Sequence, residues 1–454
     1  MTKDFTTGSP TKQIFFFALP FLIGNLFQQF YNIADTVIVG RMLGPDALAA
    51  VGSTGSMIWF FCGFICTLTA GFAAVLAYYF GAHRPEKVKH VFGMSIILSA
   101  IFGVAFTLLS SFFAMPILKL LRTPFENDII YMAYDYIIWV FIGLIGTTIF
   151  NLLSNAIRSF GDSKTPLYFL IFSCVVNIAL DILLIPVMGT AGAGLATAIA
   201  QFLSGILCIV FIAKKQPILH IRRRHFTLNW RFIKHLLKIG VPMGALNLVL
   251  SIGSIVMQFT SNTLGSLYMA SQTAAAKIEQ FVTQPLLSIG SAVSFFVAQN
   301  HGAHKFDRIK KGVSKALLLG NCWCVIAVIL MVLFGKALLG AIVGPEQTEI
   351  IKNGFTYNII NTVSSFIVCY VIILKAALQA IGRPTGTMIS GFTEIAGRAV
   401  SSLGALMIFS TPATQFLGIC FGNPLAWLFG LIPIGIDYLI VMKDFKNPAK
   451  TEQE

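Results

Sequence analysis

The first apolar stretch of the chain carries an unusual set of polar side chains. In NLFQQFYNIADTVIVGR, residues 25–41, they fall on one stripe of an α-helix, roughly 120° wide; they are Asn25, Gln28, Gln29, Asn32 and Asp35. A carboxylate inside a membrane is costly, so such an acid normally faces protein or water and serves an ion or proton pathway. Asp35 is therefore our first candidate for ion binding. The simpler interpretation, that Asp35 touches interfacial water near the outer end of its helix, stays open.

A second acid occurs in FSCVVNIALDILLIP, residues 172–186. Asn177 and Asp181 are four residues apart and therefore share one helix face. If that face meets the stripe around Asp35, two carboxylates and an amide converge. Two ionised carboxylates repel each other, so at least one of them can bind and release a proton. The same oxygens can instead hold sodium; we favour protons because two acids suffice for proton exchange.

The composition predicts the environment of these residues. Hydrophobic residues make up 56% of the chain and charged residues 11%, against about 25% charged residues in soluble proteins. Apolar runs of roughly 20 residues or more recur along the chain, so we predict an all-α integral membrane protein. Its 12 transmembrane helices are expected at 14–40, 47–80, 90–115, 127–157, 166–187, 192–213, 233–262, 267–300, 312–340, 349–378, 385–409 and 414–442.

The positive charges are concentrated in loops on one side of these helices. The main basic segments are HRPEKVKH, KKQPILHIRRRHFTLNWRFIKH and KFDRIKKGVSK. Because cytoplasmic loops are rich in Lys and Arg, we place both termini in the cytoplasm. The net charge of +14 is explained by this topology and by attraction to anionic lipid, so we expect no nucleic-acid partner.

The chain resembles an internal duplication. Leu43-Gly44 recurs at Leu264-Gly265, GAHRPEKVK at 81 recurs as GAHKFDRIK at 302, and AIRSFGDSKT recurs as ALQAIGRPTG, all with an offset of 221 residues. This repeat predicts two six-helix lobes related by a pseudo-two-fold axis along the membrane normal. We assign residues 1–213 to the first lobe, 214–238 to a basic cytoplasmic linker, and 239–454 to the second lobe with a short cytoplasmic tail.

The second copy lacks the two acids. The repeat offset places Met257 near the position of Asp35, and Arg398 at that of Asn177. Because Glu394 and Arg398 are four residues apart, we interpret them as a structural ion pair. Lys277 and Glu279 are either cavity residues or part of an outer rim. We expect no metal site and no cofactor, because the cysteines have no His or acidic residues at the spacing of a metal site.

Several motifs resemble those of one transporter family. FYNIADTVIVGRMLGPDALAAVG resembles the first-helix signature of multidrug and toxic compound extrusion (MATE) transporters, and NAIRSFGDSKTPL and LQAIGRPTG resemble that family's paired glycine-containing turns. The resemblance covers essentially the whole chain and is strongest to the MepA-like bacterial branch. It implies two six-helix lobes around a central cavity, and export of cationic drugs or dyes in exchange for protons or sodium. We accordingly expect a monomeric, multi-pass protein in the inner (cytoplasmic) membrane of a bacterium, surrounded by lipid.

The resemblance also implies roles for individual residues. Asp35, Asn177 and Asp181 match the family's amino-terminal cation site, and Pro20 matches its first-helix bend. Thr197 matches a sixth-helix hydroxyl of the same site. Further candidates for the cavity or the substrate are Tyr31, Asn32, Gln28, Met257, Asn358 and Asn361. As a hypothesis, protonation of Asp35 or Asp181 lets the first helix bend near Pro20 and closes the space that held the drug.

Two other function classes compete with drug export. A lipid-linked oligosaccharide flippase of related two-lobe architecture would need a strongly cationic cavity for phosphate, but Lys and Arg are scarce within the predicted helices. A membrane enzyme would need, for example, a His-Glu-x-x-His zinc motif or paired aspartate-rich loops, and the sequence contains neither. We therefore predict a transporter and not an enzyme.

Overall fold

The computed structural model of the protein describes residues 4–121 and 128–445. Within those ranges all regular structure is helical, apart from turns. The helices are α1 (Pro10–Leu43), α2 (Pro45–Ser53), α3 (Gly55–Gly81), α4 (Pro85–Leu120), α5 (Ile129–Ile142), α6 (Leu144–Ser159), α7 (Lys164–Met188), α8 (Thr190–Lys215), α9 (Trp230–Thr263), α10 (Ser266–Gly302), α11 (Phe306–Val343), α12 (Thr348–Val363), α13 (Ser365–Ile381), α14 (Pro384–Ile408), α15 (Pro412–Cys420) and α16 (Gly422–Asp444). Short 3-10 turns at Pro217–Leu219 and Arg223–Phe226 lie between α8 and α9.

The helices account for the predicted membrane spans. Over the described residues, nine helical segments are long and apolar enough to cross a bilayer, and two bent pairs raise this number to eleven. The bent pairs are α5–α6, with an angle of 42°, and α12–α13, with an angle of 49°. The one predicted span outside this set, 385–409, coincides with α14, which is more polar because it carries Glu394 and Arg398. The prediction of an all-helical membrane protein is confirmed.

The helices form two compact units. The first contains Leu19–Asn247, and the second contains Phe5–Ala18 together with the chain from Leu248 onward. The start of α1 thus groups with the second unit and the start of α9 with the first, so the units differ from the predicted lobes at these two segments. The lobe boundaries at 213 and 239 remain a prediction.

Aromatic side chains fill much of the interior of the first unit. The Phe64 and Phe106 rings stack with centroids 4.3 Å apart, and the Phe61 and Phe141 rings meet edge to face at 5.2 Å. Such contacts add to the stabilisation that burial of the rings already provides. They join α3, α4 and α5 into the scaffold beside the acidic residues.

In the second unit, the segment before α1 is held by α10 and α11. Phe5 N donates to Gln299 Oε1 at 2.8 Å, and Asn300 Nδ2 donates to Phe5 O at 3.1 Å. The guanidinium of Arg308 donates to three backbone carbonyls of this segment, those of Phe5, Thr7 and Gly8. The backbone polar groups of an otherwise irregular segment are therefore satisfied by side chains.

Candidate functional site

The two predicted acids meet inside the first unit. Asp35 on α1 is 5% exposed and Asp181 on α7 is fully buried, and the two carboxyl groups are near enough to influence each other electrostatically. The Tyr136 hydroxyl, on α5, donates to Asp35 Oδ2 at 3.3 Å. The two acids therefore converge in the fold, as their positions on the helix faces predicted.

Asn177 connects this pair to α8. In the orientation that satisfies both ends of its amide, Asn177 Nδ2 donates to Asp181 Oδ2 at 2.9 Å and Oδ1 accepts from Thr197 N at 3.1 Å. The Thr197 and Tyr31 hydroxyls are hydrogen bonded at 3.0 Å. Helices α1, α7 and α8 therefore bring four predicted residues together with Tyr31, and α5 is the fourth helix at the site. The four residues are Asp35, Asn177, Asp181 and Thr197. Their roles in cation coupling remain predictions.

The local fold explains how α8 reaches this position. α7 and α8 form a hairpin that turns at Gly189, whose φ of 61° lies in the left-handed region that favours glycine. The turn brings Thr197 back alongside Asn177, while the i, i+4 spacing keeps Asn177 and Asp181 on one face of α7.

The site has an uncompensated negative character. Asp35 Oδ1 and Asp181 Oδ1 are buried and have no hydrogen-bond partner, and none of the ion pairs in the described part of the chain involves either residue. Burying two ionised carboxylates without a counter-charge is unfavourable. A bound proton or a monovalent cation would supply the missing charge at these two oxygens.

The remaining first-helix candidates have different surroundings. Pro20 is buried inside α1, whereas Gln28 and Asn32 are exposed. The predicted polar stripe therefore divides: Asp35 points into the packed unit, and the amides one and two turns earlier do not. Gln28 and Asn32 remain candidates for substrate contact.

Sequence reasoning missed Tyr136. It lies in the segment IIYMAYDYIIWVFI, where three tyrosines and Asp135 occur within six residues. The sequence gives no means of choosing among these polar side chains, because only packing on α1 shows that Tyr136 points inward. Tyr136 is 5% exposed, whereas Asp135 is exposed.

The second unit contains a different polar network. Tyr357 donates to Glu279 Oε2 at 3.2 Å, Asn423 Nδ2 donates to Glu279 Oε1 at 3.0 Å, and Arg398 Nε donates to Asn423 Oδ1 at 3.2 Å. Glu279 therefore faces other helices, whereas Lys277 is exposed. The sequence left open whether these two residues line a cavity or an outer rim, and the contacts of Glu279 place that residue among the helices of the second unit.

The predicted ion pair between Glu394 and Arg398 does not form. Glu394 pairs instead with Lys375 of α13 and accepts a hydrogen bond from Ser390. Arg398, one turn later, packs beside Gly253 and reaches Asn423. The i, i+4 spacing correctly placed Glu394 and Arg398 on one face of α14. The cation that pairs with the Glu394 carboxylate, however, is Lys375 of the neighbouring helix.

The second-unit substrate candidates lie among packed helices. Met257 is 4% exposed and packs with Tyr357 and Cys420. Asn361 Nδ2 donates to the backbone carbonyls of Tyr357 and Cys420. Asn358 is 1% exposed, and neither of its amide atoms has a hydrogen-bond partner. A role for these three in substrate binding remains a prediction.

No group of three or more His, Cys, Asp or Glu side chains suited to a metal ion occurs within residues 4–121 and 128–445. The acidic pair of the first unit therefore offers two carboxylates together with neutral donors and acceptors. This set matches a proton or a weakly held monovalent cation better than a tightly bound divalent metal, which usually takes more carboxylate or carbonyl ligands.

Comparison with known proteins gives consistent matches. The family model MatE matches residues 20–183 and 242–400. The chain is 27% identical over 452 residues to the "Probable multidrug resistance protein YoeA" of Bacillus subtilis (strain 168), covering 98% of this chain and 96% of the relative. It is 28% identical to the "Probable multidrug resistance protein YpnP" of the same strain over 309 residues, 67% of this chain and 68% of that protein.

Among solved structures, the chain is similar to a crystal structure of MATE in complex with MaL6. The TM-score is 0.89 at 21% sequence identity, with 98% of this chain and 100% of that chain covered. At this level of identity the likeness shows the fold.

Proposed function

Because this chain belongs to the MatE family of multidrug transporters, we propose that it is a secondary active antiporter that exports cationic amphipathic compounds in exchange for protons. Sodium is the alternative coupling ion. The observation that carries the proposal is the buried pair of Asp35 and Asp181, each with one oxygen that has no hydrogen-bond partner.

The geometry supports a simple coupling scheme. When the pair is ionised, Tyr136 and Asn177 donate hydrogen bonds to one oxygen of each acid. Binding of a proton to Asp35 or Asp181 removes charge from the interior and changes which groups on α1 and α7 attract each other. We propose that this change shifts α1 near Pro20, where the helix lacks one backbone hydrogen bond. Drug and proton then occupy the protein alternately.

The substrate class in this proposal follows from charge and from the relatives. The relatives bear the names of multidrug resistance proteins, and an acidic interior favours cations over anions. Aromatic and Met side chains, which accept apolar cations of varied shape, are abundant in the chain. We propose that the protein lies in the bacterial cell membrane with both termini in the cytoplasm, as the distribution of Lys and Arg predicts.

Efflux of ethidium from proteoliposomes tests the proposal. The full chain is reconstituted, and efflux is driven separately by a proton gradient and by a sodium gradient. Wild type is compared with Asp35→Asn, Asp181→Asn and the matched control Asp135→Asn, which alters an exposed acid next to Tyr136. We expect efflux to follow one gradient, to be lost in the first two variants, and to persist in the control.

Two results would refute parts of this proposal. If wild type moves no cation under either gradient, drug export is wrong, and flipping of a fluorescent lipid becomes the next assay. If Asp35→Asn and Asp181→Asn both match wild type, the coupling site lies elsewhere.

A further inference from the structure

An apolar groove lies at the end of the first unit, beside the basic segment that joins α8 to α9. Its volume is about 430 Å³, within the range of roughly 300–1,000 Å³ that ligand pockets occupy. Its walls come from α4, α6, α8 and the joining segment, and they include Phe92, Ile96, Ile209, Ile212, Leu219 and Ile221. We call it the linker groove, and we call residues 216–229 the linker segment.

The linker segment forms one wall of the groove and is fixed in place there. Leu219 is 1% exposed and Gln216 is 2% exposed. The His220 ring donates from Nε2 to the Ile212 carbonyl, at 3.2 Å. The wall is therefore part of the folded unit.

A second attachment point lies on the first turn of α4. Arg224 Nη2 donates to Glu86 Oε2 at 2.8 Å, and the buried His225 lies 3.3 Å from the same oxygen through Nε2. His225 Nδ1 accepts from Arg222 N at 2.7 Å, which ties the ring to the backbone of the linker segment. Gly93 permits the close approach, because a Cβ there would lie 2.3 Å from the His225 carbonyl oxygen.

Four basic side chains adjoin the groove in sequence. Lys214 and Lys215 follow the lining residue Ala213, while Arg222 and Arg223 follow Ile221, and all four are exposed. None of them takes part in an ion pair with another described residue. Arg224, by contrast, is neutralised by Glu86.

Exposed apolar side chains follow in the sequence. Leu228 is 77% exposed and Trp230 is 72% exposed. A Trp beside Lys and Arg is typical of the boundary between membrane and water. The position agrees with the predicted end of the sixth membrane span at residue 213.

We propose that the linker groove is a binding site for an anionic phospholipid. One acyl chain occupies the apolar groove, and the phosphate lies among Lys214, Lys215, Arg222 and Arg223. An occupant with an apolar tail and a negative head fits this site, because the lining is apolar and the exposed residues that follow Ala213 and Ile221 in sequence are cationic. Anionic lipid heads are attracted to nearby Lys and Arg side chains. A cationic drug would meet like charge here, so the groove is distinct from the proposed transport site.

Native mass spectrometry of the purified full chain tests this site. The protein is incubated with equal amounts of phosphatidylglycerol and phosphatidylcholine, and retained lipid is counted. Wild type should prefer phosphatidylglycerol by on the order of tenfold. The double variant Arg222→Gln/Arg223→Gln should lose the preference, and Ala213→Phe, which fills the groove, should lose the bound lipid.

The matched control is Lys310→Gln/Lys311→Gln, which removes two exposed charges from a different basic segment. It should retain phosphatidylglycerol as wild type does. Thermal unfolding in detergent checks that each variant is folded. Equal retention of both lipids by wild type, or equal losses in the control and the arginine variant, would overturn the proposal.

Two further results separate the lipid from a free phosphate. Retention of phosphatidylglycerol by folded Ala213→Phe, or its complete displacement by an equal concentration of glycerol phosphate, would show that the acyl chain does not occupy the groove. Either result overturns the proposal. The assay contains no drug and no ion gradient, so its outcome is independent of the proposed antiport.

Discussion

At the residue scale, the buried acids of the first unit depend on a small number of neutral donors. Tyr136 donates to Asp35 and Asn177 donates to Asp181. Hydrogen bonds to charged groups contribute more than those between neutral groups, about 1.5–3 kcal/mol each. These donors therefore help to determine which protonation state the site adopts.

Tyr136→Phe should weaken coupling without abolishing it. The variant keeps the ring and removes only the hydroxyl that donates to Asp35, so we expect proton-driven ethidium efflux to fall roughly tenfold. Tyr134→Phe, which removes a different hydroxyl from the same helix, should transport like wild type. Equal losses in the two tyrosine variants would contradict a specific role for the Tyr136 hydroxyl.

Lys375→Met should destabilise the second unit. It leaves Glu394 buried without its cation, which costs about 3–5 kcal/mol when one partner of a buried pair is removed. The double variant Lys375→Met/Glu394→Gln should recover most of the lost thermal stability in detergent. Lys277→Met, at an exposed position on α10, serves as the control. A lower unfolding temperature for the control than for Lys375→Met would be inconsistent with this account.

Residue types alone identified part of the chemistry. Asp35, Asn177 and Asp181 were recognisable because acids are rare in apolar helices and because their spacing defines a face. Tyr136, Lys375 and Asn423 were not recognisable, since their partners come from other helices. The wrong pairing of Glu394 with Arg398 has the same origin: spacing within one helix cannot reveal a closer cation on a neighbouring one.

At the element scale, α1 is the helix whose shape matters most for the proposed cycle. It runs without interruption from Pro10 to Leu43 and contains Pro20. Proline has no backbone N–H, so the carbonyl one turn earlier, that of Phe16, lacks its helical donor. Helices bend most easily at such positions.

Pro20→Ala should lower proton-driven efflux while leaving the fold intact. The substitution restores a helical hydrogen bond and so opposes bending of α1. We expect a several-fold loss of efflux with no drop in unfolding temperature. Pro116→Ala, at another proline inside a helix, α4, should transport like wild type. Equal effects of the two substitutions would show that bending at Pro20 has no special role.

Hydrophobicity predicted where the helices lie but not where they bend. The spans predicted at 127–157 and 349–378 are each two helices, joined at Gly143 and Ser364 with angles of 42° and 49°. Neither span contains a proline, which is the usual signal for a kink. Gly143 and the polar run NTVSS at 361–365 coincide with the two breaks, but similar residues occur in helices that stay continuous, so they do not identify a bend by themselves.

At the scale of the whole molecule, the duplication does not fully match the compact units. Phe5–Ala18 belongs to the second unit although it lies within the first predicted lobe, residues 1–213. No periodicity in the sequence predicts this exchange. It arises from contacts of Phe5, Thr7 and Gly8 with residues far along the chain.

Arg308→Gln should loosen this attachment. Arg308 donates to three backbone carbonyls and to Gln13, and its planar fork is suited to such multiple contacts. We expect a loss of about 2 kcal/mol in stability and faster proteolysis of the segment before α1. Lys311→Gln, an exposed change one turn away, should show neither effect. Unchanged proteolysis of Arg308→Gln would mean that other contacts hold the segment.

The central claim is that drug and proton exclude one another through Asp35 and Asp181. The most direct measurement is proton release from purified protein when ethidium is added, followed with a pH-sensitive dye in weak buffer while ethidium polarisation reports binding. We predict that wild type releases protons on binding and that Asp35→Asn/Asp181→Asn releases none. If wild type binds ethidium without releasing protons, and sodium does not compete with the drug either, the proposed coupling is wrong.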